Sequence, residues 1–172
     1  VSRSIDTNEP LLMVDVDKKT IKNTIYNHTF IYPCLDREGS KVFSVTKSDI
    51  YKNIYGNPFC VDAETGKVIA TLDEKTQWGN TAYHPESNSV YFSAFKQPNL
   101  YKFNFDTLAF SAVPTDKKIR IFDCKVACDN KGYYYLGSNI LVYMNNEDEE
   151  VWRINFKEKE KLSGKTLFSI CL

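Results

Sequence analysis

Short apolar runs alternate with clusters of Gly, Asn, Asp, Ser and Pro along the whole chain, which is the rhythm of strands joined by tight turns. The stretch 58–72 shows the unit most plainly. Phe59-Cys60-Val61 is a short strand, Asp62-Ala63-Glu64-Thr65-Gly66 is a turn cluster, and residues 67–72 return as a β-branched strand. Gly66 supplies the positive φ that such a connection needs. The same hairpin is predicted at 11–16 with 20–26, at 100–105 with 108–113, and at 140–144 with 151–156.

A second kind of hairpin lies between these. It is read at 30–35 with 41–46, at 80–83 with 89–95, and at 125–128 with 133–136. The corresponding apolar positions Val14, Val61, Phe103 and Val142 are spaced by 47, 42 and 39 residues. Periods of roughly 40–50 residues with four short strands each mark propeller blades. With the strands of a blade labelled A to D, the chain reads B-C-D, then A-B-C-D three times, then A. That count predicts an all-β, four-bladed β-propeller of 172 residues in a single domain. Pairing of a C-terminal strand (167–172) with an N-terminal one (1–5) would close the ring and remove exposed sheet edges. A piece of a larger propeller and a sandwich of two sheets are the alternatives.

The phrases 84–92 (HPESNSVYF), 36–43 (DREGSKVF) and 129–134 (DNKGYY) resemble the turn-plus-strand segments of NHL and YVTN propeller repeats. The Trp-Asp dipeptide of a WD repeat is missing from the sequence.

Composition narrows the function. Aromatic residues are 14% of the chain, which favours β-structure. Lys plus Arg and Asp plus Glu number 22 each, so the basic excess of a phosphate-neutralising nucleic-acid binder is missing. The longest apolar run, 140–144, is far shorter than the roughly 20 residues of a membrane helix. No targeting signal is read at the start, and the chain begins with Val1 rather than Met. Five cysteines, at 34, 60, 124, 128 and 171, form no clustered pattern, which points to free thiols in a reduced, cytoplasmic setting. Cys34, Cys60 and Cys171 sit in apolar runs and are expected in the core.

Candidate chemistry is sparse. Of the two histidines, His84 precedes Pro85 in a turn, where a geometric role is expected, and His28 lies in a loop where solvation is expected. No HExxH, GxSxG or glycine-rich phosphate motif occurs. Cys124 and Cys128, four apart on a strand, would lie roughly 13 Å apart, too far for one disulfide or metal. Asp15, Asp17, Asp62 and Asp106 fall at hairpin turns, where turn stabilisation accounts for them. Neither a catalytic residue, a metal nor a cofactor is expected.

Surface recognition is the stronger expectation. Tyr51 and Tyr55 (in 47–57), Trp78 (in 73–79) and Lys96 (in 96–99) are predicted in loops that gather at one end of the blades, where large aromatics make contact area. At the opposite end Glu147, Asp148, Glu149 and Glu150 form an acidic run that could meet a basic partner. The expected function is a non-enzymatic protein-binding module of the immunity or inhibitor type. Its partner would be a protein, such as a toxin domain, with no nucleic-acid or membrane partner. The other readings are a sugar- or lactone-binding propeller or enzyme, using A-strand residues such as Tyr32, Asn80, Thr81, Tyr83, Lys125 and Ser169, and a fragment of a larger propeller. Closure makes one prediction: deleting residues 167–172 should lower the melting temperature of the whole chain, and an unchanged melting temperature would refute the strand assignment.

Overall fold

A computed structural model describes residues 10–25, 30–45, 56–74, 76, 78–94 and 97–156. The chain divides into two compact units, Val1–Lys75 and Thr76–Leu172. In the first unit β1 (Leu11–Asp15) and β2 (Thr20–Ile25) form a two-stranded hairpin. There β3 (Ile31–Leu35), β4 (Lys41–Val45), β5 (Pro58–Asp62) and β6 (Val68–Thr71) also form a four-stranded meander. The second unit holds two more meanders. One is β7 (Trp78–His84), β8 (Ser89–Ala94), β9 (Leu100–Asn104) and β10 (Ala109–Val113). The other is β11 (Ile121–Val126), β12 (Gly132–Gly137), β13 (Ile140–Asn145) and β14 (Glu150–Asn155). Every pairing is antiparallel between neighbours in sequence. The predicted all-β repeat of four-stranded sheets is therefore present, while the strands proposed to close the ring lie outside the described residues.

Three details differ from the sequence reading. β11 begins four residues before the predicted 125–128 strand and ends at Val126, because the buried Asp123 sits inside the strand and masks its apolar pattern. β7 begins at Trp78, so the predicted loop at 73–79 ends earlier. The repeat equivalent of Val14, Val61 and Phe103 is Met144 rather than Val142, since each of these four directly precedes the residue that opens its turn.

That residue is the same device each time. Asp62 Oδ1 accepts the backbone N–H of Glu64 (3.1 Å) and Thr65 (2.7 Å) and the Thr65 hydroxyl (2.8 Å). Asn104 Oδ1 accepts from the N–H of Asp106 (3.0 Å) and Thr107 (2.9 Å) and from the Thr107 hydroxyl (3.1 Å). Asp15 Oδ1 accepts the Lys18 N–H at 3.0 Å, and Asn145 Oδ1 accepts those of Glu147 (3.1 Å) and Glu149 (2.8 Å). A short side-chain oxygen thus satisfies turn donors that no ladder can reach. A left-handed residue follows in each turn: Lys19 (φ 54°), Gly66 (69°), Leu108 (55°) and Asp148 (63°). Gly66 meets the expectation placed on it; its missing Cβ would also press on Ile25 Cγ2 at 3.1 Å.

Packing joins sheets face to face. In the first unit Met13 and Ile25 of the hairpin are buried with Val42, Phe59, Val61 and Ala63 of the meander. In the second, Ala82, Tyr91, Leu100 and Val113 of one sheet are buried with Cys124, Tyr133, Tyr135, Val142 and Met144 of the other. Each large apolar side chain buried in this way contributes about 2 kcal/mol. Asn104 ties the two kinds of order together, because its Nδ2 also donates to Ser87 O (3.0 Å) and Ser89 Oγ (3.2 Å) of the neighbouring turn. Replacing Asn104 with Ala should lower unfolding stability by about 1–3 kcal/mol. Asn104→Asp, which keeps the turn acceptor and loses the Nδ2 bonds, should fall between the two; urea midpoints check this order.

Candidate functional site

The turns β7–β8, β9–β10, β11–β12 and β13–β14 of the second unit cluster at one end of its two sheets. Two contacts across the sheets show it: Asn146 Nδ2 donates to Glu86 Oε2 (3.4 Å), and Tyr91 Oη donates to Asp148 Oδ1 (3.3 Å). These turns expose Glu86, Asp106, Asp129, Glu147 and Glu149, with Lys131 as the exposed cation beside them. In the first unit the matching turns are mixed in charge, with Lys18, Lys19, Arg37 and Lys67 among their acids.

A buried layer holds this end rigid. Tyr91 and Tyr133 stack at 3.9 Å between ring centroids, and Tyr133 Oη donates to Asp148 Oδ1 at 2.9 Å. Lys102 Nζ lies 3.7 Å from Asp148 Oδ2 and 5.3 Å from the centre of the Tyr91 ring. Burial and the Asp148 charge push both tyrosine hydroxyls far above their ordinary range, so they stay protonated donors. Asp148 is half-buried and turned inward; its left-handed backbone is what aims the carboxylate at the two rings.

His84 lies under the same layer, fully buried, with its ring edge to Tyr91 at 6.1 Å. Its Nδ1 accepts the Ser87 N–H at 3.4 Å, which is the turn role expected from sequence. Among the described residues, His84 Nε2 and Asn146 Oδ1 are buried with no partner in good hydrogen-bond geometry, although the Asn146 side chain stands close enough to favour the charged imidazole. Burial holds the imidazole below its ordinary value; Asn146 and the Glu86 charge offset this only in part.

The acidic run is divided in its roles. Glu147 and Glu149 are exposed, and Glu149 Oε2 accepts from Asn145 Nδ2 at 3.1 Å. Asp148 faces inward. Glu150 forms a two-point ion pair with Arg153, whose Nε lies 2.6 Å from Oε1 and Nη2 2.5 Å from Oε2, and Arg153 also reaches Asp116 at 3.0 Å. Arg153 holds Glu150 below the usual carboxylate range, and the Lys118 N–H together with Arg153 does the same for Asp116. Trp78 is buried in β7, with its ring edge to Phe92 (5.3 Å) and Tyr101 (5.4 Å), rather than standing in a loop. Tyr51, Tyr55 and Lys96 lie outside the described residues.

Sequence reading missed Glu86, Asp106 and Asp129 as companions of the acidic run, although Asp106 stands in a turn of the same kind as Glu147 and the other two in turns of the second kind. It also missed Asp123. This buried carboxylate accepts from Asn80 Nδ2 (3.0 Å) and the Cys124 N–H (3.0 Å), with Lys125 Nζ 3.8 Å away. Its signal was a charge inside an otherwise apolar run. Of the cysteines, Cys60 and Cys124 are buried, Cys128 is exposed, and Cys34 is only half-buried, because Tyr32 (φ 50°) and Pro33 interrupt β3. Cys171 lies outside the described residues. Burial pushes the Cys60 thiol up to about 12. Among the described residues, no group of three His, Cys, Asp or Glu is placed to hold a metal ion.

No family model matches the chain, and no curated protein is similar to it in sequence. Solved structures are similar in fold. The β-propeller domain of Cps50 (Swd1) from Myceliophteria thermophila superposes with a TM-score of 0.61 at 11% identity, covering 85% of this chain and 49% of that one. An auxiliary nutrient binding protein from Bacteroides thetaiotaomicron gives a TM-score of 0.56 at 16% identity, covering 84% of this chain and 36% of that one. The chain thus spans half the length of these structures or less, and its fold is of the β-propeller type.

The depressed His84 ionisation has a consequence for stability. The unfolded chain takes up this proton near pH 6.5, while the folded protein resists it. The His84 contribution is therefore full above pH 6.5 and is lost as pH falls below it. The urea midpoint should drop on acidification through this window. His84→Asn, which keeps an acceptor for Ser87, should show a shallower drop; an identical pH profile would exclude His84 as the source.

Proposed function

We propose that the chain is a non-enzymatic protein-binding module that presents the acidic turn end of its second unit to a basic protein surface. One observation carries this reading. In a chain with no net charge, five exposed carboxylates stand together on turns pinned by the Asp148, Tyr91 and Tyr133 layer. A pre-ordered charged surface steers a partner and loses little side-chain entropy on contact. A propeller domain among the structural neighbours agrees with a recognition role at the level of fold. The finer form of the proposal is an immunity-type inhibitor in a reducing compartment whose partner is a toxin domain with a basic face.

A second reading is favoured by the Asn80, Asp123 and Lys125 set on the adjoining strands β7 and β11, which offers donors and an acceptor to a small polar ligand. Lys125→Ala should abolish binding of such a ligand without affecting a protein complex.

Capture of partners from the native lysate tests the main reading. The wild-type chain should retain one basic protein stoichiometrically, released by salt at about 0.5 M, where the Debye length shrinks to a few ångströms. The triple variant Glu86→Lys, Glu147→Lys, Glu149→Lys should bind it at least about tenfold more weakly, mainly through a slower on-rate. Equal retention by the variant in high salt would sink the proposal. If the retained protein is a toxin, stoichiometric addition of the chain should silence it.

A further inference from the structure

The turn between β7 and β8 is shaped by a bond that exists in only one charge state of its histidine. His84 is fully buried where β7 ends, and its Nδ1 accepts the Ser87 N–H at 3.4 Å. A backbone N–H can only donate, so Nδ1 is bare and the neutral ring carries its proton on Nε2. Protonating the imidazole places a hydrogen on Nδ1 as well. Two donors then face each other, and the bond is lost.

The same turn ties together the acidic end of the second unit. Ser87 O accepts from Ser89 Oγ (2.8 Å) and Asn104 Nδ2 (3.0 Å). Asn88 stands in the left-handed region (φ 44°). Its carbonyl accepts the Phe105 N–H (3.0 Å), and its Nδ2 donates to Asp106 Oδ1 (2.7 Å). Glu86 Oε2 accepts from Asn146 Nδ2 at 3.4 Å. The turns that follow β9 and β13 are thus fastened to residues 86–88. Burial and Lys102 of β9 oppose a charged ring at His84, while Asn146 of the β13–β14 turn and Glu86 of its own turn favour it. Tyr91 of β8 meets the ring edge-on at 6.1 Å.

We propose that His84 is a proton latch for this end of the protein: the neutral ring holds residues 84–88 down, and protonation releases them together with the Asn88–Asp106 and Glu86–Asn146 bonds. The latch is a property of the chain itself and does not rest on the identity of any partner. Its direction follows from linkage. In the released turn the ring is in water and takes up a proton near pH 6.5, whereas in the closed turn it resists. The open form is therefore rare above pH 6.5. Below it, the open population rises by up to about tenfold for each pH unit until the closed ring itself titrates.

Amide hydrogen exchange followed by NMR tests this, with each rate divided by that of the unprotected chain at the same pH. Protection of the Ser87 and Phe105 amides should fall by up to about tenfold per pH unit as the medium is acidified. The Tyr133 and Tyr135 amides of the central strand β12 open only when the unit unfolds and should stay far better protected. His84→Asn keeps an acceptor for Ser87 and takes up no proton, so its turn amides should show no such fall. Equal protection of the turn and β12 amides at every pH would mean that the turn never opens alone, which overturns the proposal; so does a fall of the same size in His84→Asn. The wild-type ring decides the matter even where the variant does not fold. Its Nδ1 resonance should be that of a bare nitrogen at neutral pH, and the Ser87 amide should lose its protection wherever Nδ1 is protonated. A protonated Nδ1 beside a still-protected Ser87 amide overturns the latch.

Discussion

One side-chain oxygen at the end of every fourth strand (β1, β5, β9 and β13) organises this protein. Asp15, Asp62, Asn104 and Asn145 each turn back to accept N–H groups from the loop that follows. The bond fixes where the strand stops, and a stop fixes register, and register decides which side chains face which sheet. The turns in the first unit show how strictly this works. Both the β1–β2 and β5–β6 hairpins carry an irregularity in pairing at the same place, just before the valine that precedes the turn-opening aspartate. Such a bulge increases local twist, and a meander of short twisted strands is what packs face to face in this manner.

The second unit puts a further demand on the same device. Its last turn must supply two things at once, an acceptor for two buried tyrosine hydroxyls and exposed acids for the surface. Sequence neighbours do both because Asp148 adopts the left-handed conformation, which rotates its carboxylate inward while Glu147 and Glu149 stay outside. Lys102 balances the inward charge, so the tyrosine layer is held by a charged hydrogen bond rather than by stacking alone. Rigid support beneath a charged rim lets electrostatic attraction act on a surface that is already in position.

The hairpins were legible from sequence because turn residues are local. Gly66, Pro85 and the Asp-Asn-Lys-Gly run at 129–132 act through their own backbones, and the strands between them follow. What was hidden depends on distant partners. Asp123 reads as a break in a strand until Asn80, 43 residues away, satisfies its carboxylate. Trp78 reads as a loop aromatic until Phe92 and Tyr101 enclose it. Asp148 reads as one more surface acid until the rings of Tyr91 and Tyr133 arrive beneath it. The slip from Met144 to Val142 has a similar origin. Both are apolar and both are buried, and only the Asn145 hydrogen bonds distinguish which one precedes the turn.

The same logic separates the surface meant for solvent from the surface meant for a partner. A four-stranded meander has two faces, and in this chain both carry large apolar or aromatic side chains. An antiparallel sheet can leave one face to water, and scattered exposed apolar residues on it are ordinary, whereas a contiguous aromatic cluster such as Tyr134, Tyr143 and Trp152 is not. The charged turns meet the opposite condition: Glu86, Glu147 and Glu149 face water, and the neighbouring Asn145 and Asn146 side chains bond backbone groups of the turns. A partner held at the acidic end is therefore drawn by charge and released by salt.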